Sequence, residues 1–81
     1  MQSYMTKTKY DAVNDILYIK MTTNPIASYG EEKEDGVVVL RSIENDEITG
    51  LMVYYPKRDR TKRESQLSKI GFPMKLQPLI R

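Results

Sequence analysis

Two side chains that carry much of the chemistry of small proteins are missing from this chain of 81 residues: it has no cysteine and no histidine. Without cysteine there are no disulfides and no thiol nucleophiles. Without either there are no Cys/His zinc sites, and without histidine no imidazole acid–base catalysis. The four glycines are scattered, so no glycine-rich phosphate loop exists. No nucleophile–base pair stands out either. The expectation is a protein that is not an enzyme and uses no cofactor or metal. No apolar run approaches ~20 residues, and no basic segment followed by an apolar stretch opens the sequence. That argues for no membrane and for a soluble, cytoplasmic setting.

A chain of this size buries roughly 60% of its unfolded surface, so its core is thin. With neither a disulfide nor a metal as a staple, dimerisation is a natural way to bury more, and a homodimer is expected. The net charge is only +2, yet it is unevenly spread. Residues 1–56 hold five basic and nine acidic side chains, whereas residues 57–81 hold eight basic and two acidic. The basic C-terminal third is the strongest hint of function in the composition.

The centre of the chain is Gly36 to Tyr55. A β-branched run, the polar stretch Glu44-Asn45-Asp46-Glu47 and a second run rich in Val, Met and Tyr predict a hairpin. Asn45 and Asp46 tolerate left-handed backbone and suit its tip. Val37 to Leu40 is apolar on both faces, so something is expected to cover each side: the C-terminal segment on one, a partner subunit on the other. Upstream, Ser3 to Tyr10 alternates as a strand, with lysines that suit an edge. Asp11 to Asp15 makes a turn. Ile16 to Met21 is a second strand with Leu17, Ile19 and Met21 inward, broken by Thr22-Thr23-Asn24-Pro25. Ile26 to Glu32 is a third strand, and the acidic stretch Glu31 to Asp35 reads as a loop into the hairpin.

Tyr55-Pro56 ends the last strand. Thr61-Lys62-Arg63-Glu64 matches a capping box and predicts a short helix from about Lys62 to Ile70. Gly71, Phe72 and Pro73 then match a Schellman stop, with Phe72 packed on Leu67. Met74, Leu76, Leu79 and Ile80 are too apolar for a free tail, and a groove on the sheet or on a neighbouring subunit is expected to take them. The fold class is α+β: an antiparallel β-meander of four to five strands (residues 1–56), one short C-terminal helix and an apolar tail (residues 57–81), in a single domain.

Tyr10-Asp11, Asp15 and Leu17-Tyr18-Ile19, followed by Glu31-Glu32-x-Glu34-Asp35-Gly36-Val37-Val38-Val39 and Gly50, resemble the domain of unknown function 2283 family of small prokaryotic proteins. The likeness covers about residues 7–56. Ala12 stands where the family usually has proline, and the hairpin tip lacks the usual Asp-Gly. The family has no established activity, and some members are suspected antitoxin-like partners of small toxins. The resemblance therefore implies a binding module and assigns no residue a role.

Two sets of residues are singled out for binding. Lys57, Arg58, Arg60, Lys62 and Arg63, with Lys69 beyond, could grip phosphates at the start of a helix. The simpler reading is a solvated face or a patch that pairs with the acidic stretch of this or a second chain, and an acidic protein partner is a further alternative. Val38, Leu40, Met52, Tyr54, Leu76, Leu79 and Ile80 form the second set, a candidate interface. The acidic stretch does not follow the calcium-loop spacing. Asp11 and Asp15 read more simply as turn caps than as paired catalytic carboxylates. The function expected is a small intracellular interaction module of antitoxin-like character. The alternative is nucleic-acid backbone binding through Lys57–Arg63.

Overall fold

A computed structural model describes residues 7–23 and 25–80. Five strands, β1 (Lys7–Asp11), β2 (Ile16–Lys20), β3 (Ser28–Glu34), β4 (Val37–Ser42) and β5 (Ile48–Tyr54), form one antiparallel sheet. A single α-helix, α1 (Arg60–Lys69), and a 3-10 turn (Gln77–Leu79) follow. The α+β architecture is the expected one, with five strands. The part of the first predicted strand from Ser3 to Thr6, and Asn24 in the predicted break, lie outside the described residues.

The strand order is β1-β2-β5-β4-β3. Within it β3, β4 and β5 make a meander, and the link at residues 21–27 carries the chain from β2 to the far edge. This places β5, not β3, beside β2, a Greek-key arrangement.

Each tight turn is set by local polar chemistry. The Asp11 carboxylate accepts the amides of Val13 and Asn14, and Asp15 then enters left-handed backbone at φ 54. At the central hairpin tip Asp46 does the same at φ 63, and the Asn45 side chain accepts the Glu47 amide. The predicted acidic loop is different: Glu31 to Glu34 belong to β3, and only Asp35 and Gly36 turn. Charged side chains suit β3 because it is an edge strand.

Alternation along the strands separates two faces. Leu17, Ile19, Val37, Val39, Leu51 and Val53 point to one side and are buried there with Leu67 of α1 and Leu76 of the tail. Tyr10, Met21, Ile48, Ile70, Phe72, Met74, Leu79 and Ile80 pack partly against them. The helix lies against β4 and the 3-10 turn against β1, so the C-terminal third spans this face.

The stop of α1 is the predicted one. The Phe72 amide donates to the Leu67 carbonyl (2.8 Å), the Gly71 amide to that of Ser68 (3.2 Å), and Gly71 sits at φ 95. A Cβ at Gly71 would meet nothing within 4 Å, so the need for glycine is purely conformational. The predicted start is not the observed one. The helix begins at Arg60 with Asp59 as its N-cap residue, and no side chain caps it. Thr61 lies inside the helix, while the Glu64 carboxylate accepts the Leu76 amide at 2.8 Å and pins the tail to the helix.

Candidate interaction surface

Cross-strand pairing defines the second face of the sheet. One row runs Lys9, Tyr18, Met52, Val38, Glu32 across all five strands. A second runs Lys7, Lys20, Gly50, Leu40, Gly30, and a third joins Asp11, Ile16 and Tyr54. Val38, Leu40, Met52 and Tyr54, four of the candidate interface residues, therefore share this face. All four are half-buried by their neighbours alone. None belongs to the core cluster that the helix and tail complete. Among the described residues, Tyr55, Arg58 and Arg63 border the face beside Val38 and Tyr54, and Thr22 and Ile26 of the β2–β3 link border its other end. There a shallow groove of about 350 Å³ opens between them and Tyr18, Lys20, Leu40 and Gly50. Gly50 is obligatory at its floor, since a Cβ would lie 2.5 Å from the Ile19 carbonyl oxygen.

The other three interface candidates are elsewhere. Leu76 is fully buried in the subunit's own core, and Leu79 and Ile80 pack against the same core. The tail docks in cis, so Leu76 is corrected from interface to core, while Leu79 and Ile80 are partly buried against that core.

The basic segment is likewise divided. Arg63 is only 3% exposed. Its guanidinium donates to the Tyr54 carbonyl (2.6 Å) and to Gln66 Oε1 (2.9 Å), while the Gln66 amide donates to the Asp35 carbonyl (3.0 Å). This pair ties α1 to both the β3–β4 turn and the end of β5. Gly36 makes room for it: its φ is 89, and a Cβ there would come within 2.4 Å of the guanidinium carbon. Arg63 is thus a structural residue and not part of an exposed patch. Arg58 bonds Asp59 (3.0 Å) and lies 3.9 Å above the Tyr55 ring. Lys69 pairs with Glu34 at 3.8 Å, which joins acidic stretch and helix within one chain. Lys57, Arg60 and Lys62 remain exposed at the start of α1.

Asp15 is a hub that the sequence reading placed only in its own turn. Its carboxylate accepts the Tyr10 hydroxyl (2.7 Å) and the amides of Lys57 and Arg58 (3.1 Å each), and its carbonyl accepts the Tyr55 amide (2.7 Å). Burial pushes this carboxyl up, but the Tyr10 hydroxyl and the two amides outweigh it and hold it below the usual carboxylate range. Tyr10 responds in the opposite sense. The hydrogen bond to Asp15, then burial and the nearby carboxylates, push its hydroxyl up to about 12. Asp11 is lowered, chiefly by its hydrogen bonds to Asn14, as a turn cap should be. Among the described residues no carboxylates cluster as a metal site would require, and no helix is long and apolar enough to cross a membrane.

Two signals in the sequence pointed to this surface. The alternation puts Tyr18 and Lys20 opposite the core, and the β1 lysines opposite Tyr10. What joins them with Met52 and Val38 is the strand order, which sequence periodicity does not encode. The sequence profile of the family described as Protein of unknown function (DUF2283) matches residues 7–55, the five strands and their turns. No curated protein and no solved structure matches the chain.

Proposed function

The chain belongs to the DUF2283 family, and from that premise we propose that it works by binding rather than by catalysis, as a small interaction module. Its contact surface is the uncovered sheet face of Ile16, Tyr18, Val38, Leu40, Met52 and Tyr54. One observation carries this reading: among the described residues, α1 and the apolar tail lie on the opposite face, and no helix or tail residue covers this apolar stripe. A contiguous uncovered apolar patch rimmed by charge is the usual mark of an interaction site. Neutralising a partner by occupying it, in the manner of an antitoxin, is a form of binding that needs no catalytic group. The test is parallel capture with the wild-type chain and Met52→Glu from cells that express candidate partners. Proteins retained by the first and lost by the second support the reading, and identical sets overturn it.

Phosphate-backbone binding is a narrower second reading. It rests on Lys57, Arg60 and Lys62, which stay exposed around the start of α1, because Arg63 and Arg58 are committed to the fold and to Asp59. Three phosphate contacts would give a shallow salt dependence of slope about −3. No detectable binding of duplex or single-stranded DNA at low salt would end it.

A further inference from the structure

The row Lys9, Tyr18, Met52, Val38, Glu32 has a property the other rows lack. It is cationic at one end, anionic at the other and apolar between, and its midpoint Met52 lies on β5, the central strand of five. We propose that the occupant of the open face is a second copy of this chain, stacked face to face about a two-fold axis that runs parallel to the strands above β5. The inference rests on the reading that this face is the binding surface.

Two face-to-face arrangements with the strands of both sheets aligned have two-fold symmetry. An axis perpendicular to the strands lays β1 on β1 and β3 on β3 with heights reversed, so that, centred on Met52, Lys9 meets Lys9 and Glu32 meets Glu32. Like charges so placed are unfavourable. An axis parallel to the strands lays β1 over β3, β2 over β4 and β5 on itself, and keeps each residue at its own height. Lys9 of each subunit then faces Glu32 of the other, Tyr18 faces Val38, Lys20 reaches past Leu40, and Met52 meets Met52. Both Lys9 and Glu32 are exposed, and Glu32, whose Oε2 accepts the Gly36 amide at 3.3 Å, keeps Oε1 to reach across. Packed sheets lie ~10 Å apart and cross at about 30°, offsets that a lysine and a glutamate side chain together can span. Gly50 and Gly30, side by side with Leu40, leave a hollow in the neighbouring row that takes the opposing lysine stem.

The size of the face fixes the expected strength. Five strands ~4.8 Å apart and about five residues long at ~3.3 Å each make roughly 400 Å² in projection, below the ~800 Å² per partner of a standard interface. The dimer should therefore exchange with monomer in the micromolar range.

Sedimentation equilibrium of the full chain tests this. The wild-type chain should dimerise reversibly. Lys9→Glu and Glu32→Lys should each weaken it about 10-fold, since each reverses two contacts per dimer. The double variant should return to within about 3-fold of wild type. Glu32→Gln, which keeps an acceptor for the Gly36 amide, controls for the turn and should weaken dimerisation less than Glu32→Lys. Failure of the double variant to rescue, with Met52→Glu still monomeric, overturns this arrangement and spares the open face as a binding surface. Dimers that Met52→Glu leaves intact overturn both. A chain that is monomeric at millimolar concentration overturns the self-association and leaves the face to a different protein.

Discussion

Along β2, Leu17 and Ile19 lie under α1 and the tail, while Ile16 and Tyr18, one residue away, face outward on the side away from both. The same holds on β4 for Val37 and Val39 against Val38 and Leu40, and on β5 for Leu51 and Val53 against Met52 and Tyr54. Both sets are apolar, and neighbours in one strand differ in fate only because the C-terminal third crosses one side. The contrast teaches that burial here is assigned by the cover and not by the strands. It also separates two kinds of residue that hydrophobicity alone would merge: those that hold the fold and those left for another molecule.

Substitutions on the two faces should break apart in size. Leu76→Ala removes a fully buried anchor and should cost about 2–5 kcal/mol, lowering the midpoint of thermal unfolding by more than ~10 °C in a domain this small. Met52→Ala, on the open face, should cost less than about 1 kcal/mol in the monomer. Equal losses in urea titrations would mean that the faces are equivalent after all. Gly36→Ala should come next, at about 1–3 kcal/mol, because it forces a side chain into left-handed backbone beneath the Arg63 guanidinium.

A smaller effect should appear in the pH dependence of the clamp on the covered side. The fold holds the Asp15 carboxyl low, so its contribution is complete above about pH 4 and fades as pH falls through the lowered folded value. Tyr10 is held at about 12 instead of 10.0. Its contribution is therefore complete below about pH 10 and lost as pH rises through about 12. Asp15→Asn should flatten both limbs of a stability–pH curve, and Tyr10→Phe the alkaline one. Unchanged limbs would remove Asp15 from its place as the clamp. Smallest of all, Lys62→Ala should shift stability by no more than about 0.5 kcal/mol.

Much of this layout was legible in the residues themselves. The alternation of Leu17 and Ile19, the polar tip at Asp46 and the Gly71-Phe72 stop are local signals, and each appears where local physics put it. The misreadings share a cause, which is that partners distant in sequence decide them. Thr61 and Glu64 fit a capping box until Leu76, twelve residues on, takes the Glu64 carboxylate. Glu31 to Glu34 look like a loop until β4 pairs with them. Arg63 looks solvated because it is charged, although its helical phase, four before Leu67 and seven before Ile70, already puts it on the buried side. The open face is half visible in the sequence: alternation groups Val38 with Leu40 and Met52 with Tyr54, but nothing local separates the equally apolar tail from them, because its docking partner lies far off in sequence.

The matched family stretch stops at residue 55, whereas Leu67 and Leu76, which roof the sheet, come after it. The matched stretch of this chain is thus a floor and a wall without a ceiling. In this chain α1 and the tail complete it, burying Leu67 and Leu76 with the inward side chains of the strands. Chimeras that exchange residues 57–81 for an unrelated amphipathic ending should keep the same outward face, so that architecture on one side can be rebuilt while the other goes on meeting its neighbour unchanged.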